Sequence, residues 1–339
     1  MQFPGPPAGR VRACLGTLQL MSLRGTHLRL ALSLLGLAGL FVLSLLVGVI
    51  DLRQGGDVWH VMTVSRLPRS FAVVIAGAAL AVSGAIMQML VRNRFVEPMT
   101  AGTGQGAALG VLVATLLFPE APIIARMGFA AIAALASSLL FLAMVRRLPA
   151  TQPLLIPLVA LIYGALVLAI VTFIAWQTDL LQYIEVWING EFSGVLAGRY
   201  ELLWIAAIVT VLSYVVADQF AIAGMGKSVS INLGLNYDLV LLLGLLSVSI
   251  TTALTVVTVG MIPFVGLVVP NIVSRLYGDH LRGTLPLTAF WGAGAMLASD
   301  ILGRLIRYPF EIPVGTVFGV IGTAVFLWLL YSRPSHGAP

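Results

Sequence analysis

Charge is what this sequence has least of. Of its 339 residues only 9% are Asp, Glu, Lys or Arg, 59% are hydrophobic, and the mean hydropathy is +1.03. A soluble domain carries about 25% charged residues. So few charges cannot cover a water-facing surface, so most of the chain faces lipid or other helices, and no stretch reads as a soluble catalytic domain. Cysteine is nearly absent too. Cys14 stands alone, which excludes an intrachain disulfide and a multi-cysteine metal site. The four histidines (His27, His60, His280, His336) are far apart and suggest no metal cluster. Acids number 13 against 19 Lys and Arg, a net charge of +6. The basic residues are scattered between apolar runs and form no patch, which argues against a nucleic-acid partner.

What is present is a series of long apolar runs. A spanning helix needs roughly 20 apolar residues. Such segments read at 29–50, 71–91, 100–118, 123–145, 154–175, 200–217, 239–258, 261–277, 286–306 and 314–332. The expectation is an all-α polytopic membrane protein of about ten transmembrane helices. The segments at 100–118 and 261–277 are short and rich in Gly or Pro. They read as broken or partly re-entrant, a form tolerated only where protein shields the backbone or it lines a wet cavity. The first run, Leu28 to Ile50, is too long for a signal-peptide core. Asp51-Leu52-Arg53 follows it with no small-residue cleavage site, so it reads as retained. Residues 1–25 are polar, basic and rich in Pro and Gly, and read as a disordered cytoplasmic tail, with Met21 an alternative start. The expected organisation is that tail, one transmembrane domain over 26–333, and a short cytoplasmic tail over 334–339.

Lys and Arg favour the cytoplasmic side. With ten spans and both termini inside, seven of the 19 fall outside: Arg53, Arg66, Arg69, Arg126, Arg199, Arg304 and Arg307. Twelve fall inside, several of them in the N-terminal tail. An odd span count, with the C-terminus outside, is the main competitor. Small-xxx-small steps such as Gly77 to Ala81 and Gly292 to Met296 suit close helix packing in lipid.

Four segments carry more than packing. Arg66-Leu67-Pro68-Arg69 puts two cations at the outer start of an Ala/Gly-rich span. Pro suits a first helical turn, whereas cations there oppose the helix dipole. Interfacial anchoring and a basic site for an acidic partner both fit. Residues 88–103 turn through a basic, Pro-containing hairpin and re-enter at Gly102, Gly104 and Gly106; with no strand before them, these glycines are not a phosphate loop. Residues 218–238 form the longest polar inner connection, with one or two short helices and a glycine stop at Gly234. It reads either as a surface loop or as a docking element. Last, Asp300 lies inside an apolar run with Arg304 four residues on, both on one helix face, where they can form an ion pair.

Taken together, the motifs resemble a known family. RLPR is followed in order by AGAALAVSGAIMQ, RNRFVEPMTAGT, the LGLN loop, GMIPFVGLVVPNIVSRLYGDHLRGTLP, ASDILGR and EIPVGTVFGVIGTAVFLWLL. Residues 30–332 are similar to the permeases of iron-siderophore, haem and vitamin B12 ABC importers, with the type II ABC importer permease architecture. The resemblance implies ten helices, both termini cytoplasmic, and residence in the bacterial plasma (inner) membrane. It implies a second permease subunit, identical or paralogous, two cytoplasmic ATPase subunits and a soluble substrate-binding protein. ATP and Mg then belong to the ATPase partners, and this chain has neither a cofactor nor a complete Walker A pattern. By position, Arg66, Arg69 and Arg304 match arginines that meet acidic residues of the binding protein. Ser228, Ser230, Leu233, Gly234 and Leu235 fall in the coupling helices that dock on the ATPases. Two departures stand out. The turn Asn93 to Thr103 differs from the commoner Asn-Pro-Leu-Ala-Asp/Glu-Pro form and is similar to that of catecholate-type siderophore permeases. Asn271 stands where many members have His. The competing classes are an ion-gradient transporter, which would show several intramembrane acids where Asp300 is the only clear one, and a non-transporting scaffold or channel subunit.

Overall fold

The computed structural model describes residues 33–48, 58–148, 155–198 and 200–331. The expected tails at 1–25 and 334–339, Cys14, Arg53, Arg199 and Arg333, and the choice between Met1 and Met21 lie outside the described residues.

The described residues are helical throughout, joined by turns and short loops. The helices are α1 (Ser33–Leu46), α2 (Val58–Val91), α3 (Thr103–Leu117), α4 (Ile123–Val145), α5 (Leu155–Gln177), α6 (Leu181–Ile188), α7 (Leu203–Val215), α8 (Ala217–Met225), α9 (Lys227–Asn232), α10 (Tyr237–Val259), α11 (Val265–Tyr277), α12 (Leu281–Ile306) and α13 (Val314–Tyr331). Six are long and apolar enough to cross a membrane: α2, α4, α5, α10, α12 and α13. The pair α7–α8 reaches that length only when taken together and is bent by 62°, a broken span or a re-entrant turn. The shorter apolar helices α1, α3 and α11 occupy the other expected positions.

At 1.5 Å per residue, α3 and α11 reach only about 20 Å, short of a hydrocarbon core of about 30 Å. The missing length is irregular backbone, and it is enclosed. Val96, Glu97, Pro98 and Met99 before α3, and Gly260, Met261 and Ile262 before α11, are all buried. Protein therefore shields these loops from lipid, as their free N–H and C=O groups require.

The expected start of the second span at residue 71 is too late. The helix begins at Val58, so Arg66 and Arg69 lie within it. Met62–Arg66 forms a π-helical turn, closed by Leu67 N–H on Met62 O. Pro68 follows directly. The widened turn lets a helix pass a proline that has no N–H to give, and two arginines made this stretch read as pre-helical.

The bundle is built around α2. In its most apolar window 83% of α2 is buried, against 28% for α13. Apolar residues surround α2 on every face, as expected of a helix enclosed on all sides. Small residues set its closest crossings. A Cβ on Gly77 would stand 2.5 Å from Gly292 O on α12, and one on Gly84 would stand 1.9 Å from Gly266 O on α11. The two small-xxx-small stretches read from the sequence thus meet each other across the α2–α12 crossing. Hydroxyl pairs add ties around this core: Ser83–Thr251 joins α2 to α10, Thr103–Ser138 (2.7 Å) joins α3 to α4, and Ser137–Tyr163 (2.9 Å) joins α4 to α5.

Overpacking a close contact costs about 1–3 kcal/mol or more. Gly84→Ala is expected to lower the thermal unfolding midpoint of the purified protein by several degrees. Gly128→Ala, where a Cβ meets nothing within 4 Å, is expected to leave it unchanged. Equal midpoints for the two variants would show that the α2–α11 crossing is not the tight contact described.

Candidate functional site

One end of the bundle holds a cluster of buried charge. Its centre is Asp300 on α12, with no exposed surface. Asp300 Oδ1 accepts from Arg69 Nη2 at 2.7 Å and Nε at 3.2 Å, and Oδ2 accepts from Arg304 Nη2 at 2.6 Å. The i, i+4 spacing puts Arg304 one helical turn from its carboxylate, while Arg69 arrives from α2.

The other donors of these arginines serve a helix end. Arg304 Nη1 donates to the carbonyls of Ser44 (3.0 Å) and Val47 (2.7 Å), and its Nη2 donates to Ser44 Oγ (2.8 Å). Arg66 Nη1 donates to Leu45 O at 2.7 Å and Leu46 O at 3.3 Å. These carbonyls lie at the C-terminus of α1, where no intrahelical partner is left. The negative end of the helix dipole adds to the attraction. Two cations thus cap α1, and one carboxylate ties α12 to α2.

All three predicted arginines therefore come together, but differently exposed. Arg66 and Arg304 are 7% and 6% exposed, turned inward onto α1. Arg69 is at the rim. Its Nη1 holds both carboxylate oxygens of Glu311, at 3.0 and 2.8 Å, and the Glu311 side chain is 28% exposed. A cleft of about 170 Å³ opens beside the cluster, lined by Ser65, Arg66, Arg69, Ser193, Arg304 and Glu311 among others. Three cations face two carboxylates, so the cleft carries one positive charge in excess.

The sequence reading missed Ser44 and Glu311. Ser44 gave no signal, being one hydroxyl in an apolar run. Glu311 lies in the EIPVG stretch, and an acid just before a span in so acid-poor a chain is a signal. Glu97 was missed as a buried acid. It has no exposed surface, and its Oε1 accepts from Phe264 N at 2.6 Å, at the start of α11. Asp300 is thus not the only carboxylate inside the bundle.

The opposite end holds the predicted coupling segment, formed by α8 and α9. Ser230 is buried, with its hydroxyl donating to Gly226 O (2.8 Å) and Ile222 O (3.2 Å). Gly234 ends the segment at φ +78°, a conformation that favours glycine. Gly234 N bonds to Ile231 O and Leu235 N to Ser230 O, each at 2.9 Å, a glycine-type helix stop. Ser228, Leu233 and Gly234 are exposed and Leu235 is half-buried. Ion pairs brace this end: Arg282 with Asp218, Lys227 with Asp238 at 3.1 Å, and Arg94 with Asp279 at 2.6 Å. The Ser274 hydroxyl, and then Arg94, hold Asp279 below the usual carboxylate range. Asn271, the unusual residue of its motif, donates from Nδ2 to Arg94 O (2.8 Å) and Leu267 O (2.7 Å), tying the re-entrant hairpin to α11. Among the described residues no group of three His, Cys, Asp or Glu is arranged to hold a metal ion.

An all-helical bundle with several helices long and apolar enough to cross a membrane, buried charge at one end and short exposed helices at the other describes a multi-pass membrane protein. The chain belongs to the FecCD transport family, whose model matches residues 30–332. It is 46% identical over 272 residues to the petrobactin import system permease protein YclN of Bacillus subtilis (strain 168), covering 80% of this chain and 86% of that one. It is 41% identical over 272 residues to the ferric-anguibactin transport system permease protein FatD of Vibrio anguillarum, covering 80% and 87%. A solved structure described as a metal-chelate type ABC transporter in an inward-facing conformation shares the fold, with a TM-score of 0.75, 24% identity, and coverage of 88% and 97%.

Removing one partner of a buried ion pair costs about 3–5 kcal/mol, because the other charge is left uncompensated; an exposed pair contributes roughly 0–1 kcal/mol. Asp300→Ala should therefore sharply reduce the yield and melting temperature of purified protein, while Asp238→Ala, which breaks the exposed Lys227 pair, should change neither. Wild-type stability in Asp300→Ala would show that the two arginines do not need it.

Proposed function

We propose that this chain is the membrane-spanning permease subunit of a bacterial ABC importer that moves iron(III)–siderophore complexes into the cytoplasm. The observation that carries the reading is identity of 46% and 41%, each over 80% of the chain, to permeases named for petrobactin and ferric-anguibactin. The partners are a second permease subunit, identical or paralogous, two cytoplasmic ATPases that bind ATP and Mg, and a soluble substrate-binding protein. The chain lies in the plasma (inner) membrane with both termini cytoplasmic.

The two ends of the bundle take different roles in this reading. The charge cluster faces outward and meets carboxylates of the binding protein. Arg66, Arg69 and Arg304 all line the cleft. The segment containing Ser228, Ser230, Leu233, Gly234 and Leu235 docks on an ATPase. In support, Met225, Val229, Ile231 and Leu233, on and just after α8 and α9, are exposed by 64%, 36%, 56% and 60%. Exposed apolar clusters of this kind mark contact surfaces.

Uptake of ferric petrobactin, supplied with radioactive iron, tests the function. Cells lacking this chain are expected to lose uptake and to regain it on complementation, and uptake should survive an uncoupler but not ATP depletion. Unchanged uptake without the chain contradicts the substrate; collapse under the uncoupler alone points to an ion-gradient transporter. The coupling role has its own test. Proline fixes φ near −65° and has no N–H, so Gly234→Pro should abolish substrate-stimulated ATPase activity in the assembled complex while leaving membrane insertion intact. Gly234→Asn, which tolerates a left-handed conformation, should retain most of it. Full stimulation in Gly234→Pro would remove this turn from the coupling element.

A further inference from the structure

The cleft at the charged end already contains a carboxylate in the place a partner's carboxylate would take. Arg69 divides its guanidinium between two acids. Its Nε and Nη2 serve Asp300, and its Nη1 serves Glu311. The two are unequally held. Asp300 is fully buried and shares itself with Arg304 at 2.6 Å. Glu311 has a side chain 28% exposed, stands at the cleft rim, and pairs with no other cation among the described residues.

We propose that Glu311 is an internal stand-in: it occupies the outer edge of Arg69 until a carboxylate of the docking protein replaces it. This rests on the docking role assigned to the cluster above. Charge balance favours an exchange over an addition. A buried cation with no counter-ion is costly, so the three clustered arginines need two carboxylates at all times. With Glu311 in place the resting cluster keeps that balance. On docking, the partner's carboxylate takes the same donor and Glu311 moves to solvent, so the count of charges inside does not change. The reach of the exchange follows from position. Glu311 lies in the turn joining α12 to α13, where Ile312 N bonds to Gly303 O at 3.0 Å and Gly315 N to Gly190 O at 2.8 Å. Its release frees one of the ties that hold the entry to α13. The bidentate grip also accounts for arginine at this position, since lysine offers no fork to share between two acids.

The test is the affinity of the cognate substrate-binding protein, loaded with ferric siderophore, for the complete permease–ATPase complex in lipid nanodiscs at low ionic strength. An exposed ion pair contributes at most about 1 kcal/mol. Removing the competitor should therefore tighten docking several-fold, at most about fivefold. Glu311→Gln is expected to give this gain, and Glu311→Asp, one methylene shorter, part of it. Arg69→Lys keeps a cation beside Asp300 so that the bundle folds; it should weaken docking, and in that background Glu311→Gln should give no gain. If Arg69→Lys weakens docking while Glu311→Gln leaves it unchanged or weakens it, the exchange is wrong and the docking role stands. If Arg69→Lys leaves affinity unchanged, the docking role falls and the exchange falls with it.

Discussion

The structure depends on one carboxylate that cannot reach water. Asp300 is enclosed within a helical bundle, where a lone ionised group costs several kcal/mol. It is tolerated because two guanidiniums from different directions satisfy both of its oxygens. One of them, Arg304, also caps the carbonyls at the end of α1, together with Arg66. Three helices distant in sequence, α1, α2 and α12, thus share one solution to two desolvation problems: a buried negative charge and an uncapped helix end. Neither problem is solved without the other, since removing Asp300 leaves surplus cations and removing the arginines leaves both the acid and the carbonyls without donors.

Around this fixed end the bundle is organised by size rather than polarity. In an apolar solvent the hydrophobic effect does not drive helices together, so close backbone approach and hydroxyl pairs must do so. Gly77 against Gly292 and Gly84 against Gly266 supply the first, and the Ser and Thr pairs of α2, α3, α4 and α10 supply the second. The opposite end follows water-side rules, with exposed ion pairs, a glycine helix stop at Gly234, and apolar side chains displayed on short helices. The molecule is therefore polarised: its charged cleft and its short helices α8 and α9 lie at opposite ends of α2. The proposed function, with one partner outside and another inside, uses that separation.

Much of this was legible in the sequence. Long apolar runs fixed the helices, because in lipid a helix is the local answer to unpaired backbone. The Asp300–Arg304 pair was legible from i, i+4 spacing alone. The start of α2 was not, because a helix that carries Arg66 and Arg69 in its first turns looks like a loop until the partners of those arginines are known. Those partners are 20 to 242 residues away, and spacing cannot reveal them. Glu311 and Glu97 were missed for the same reason: each was visible as an acid, but what it faces is set by tertiary contact. The short reach of α3 and α11 was anticipated from their Gly and Pro content, and its physical basis is the burial of the loops that precede them.

The central claim is that the Asp300-anchored cleft meets the soluble binding protein and that the α8–α9 end meets an ATPase. Site-specific photo-crosslinking in intact cells tests it most directly, with a photoreactive residue at Ser65 in the cleft and another at Ser228 on α9. The account predicts that Ser65 captures the substrate-binding protein and Ser228 an ATPase subunit. Capture of the ATPase from Ser65, or of the binding protein from Ser228, would contradict it.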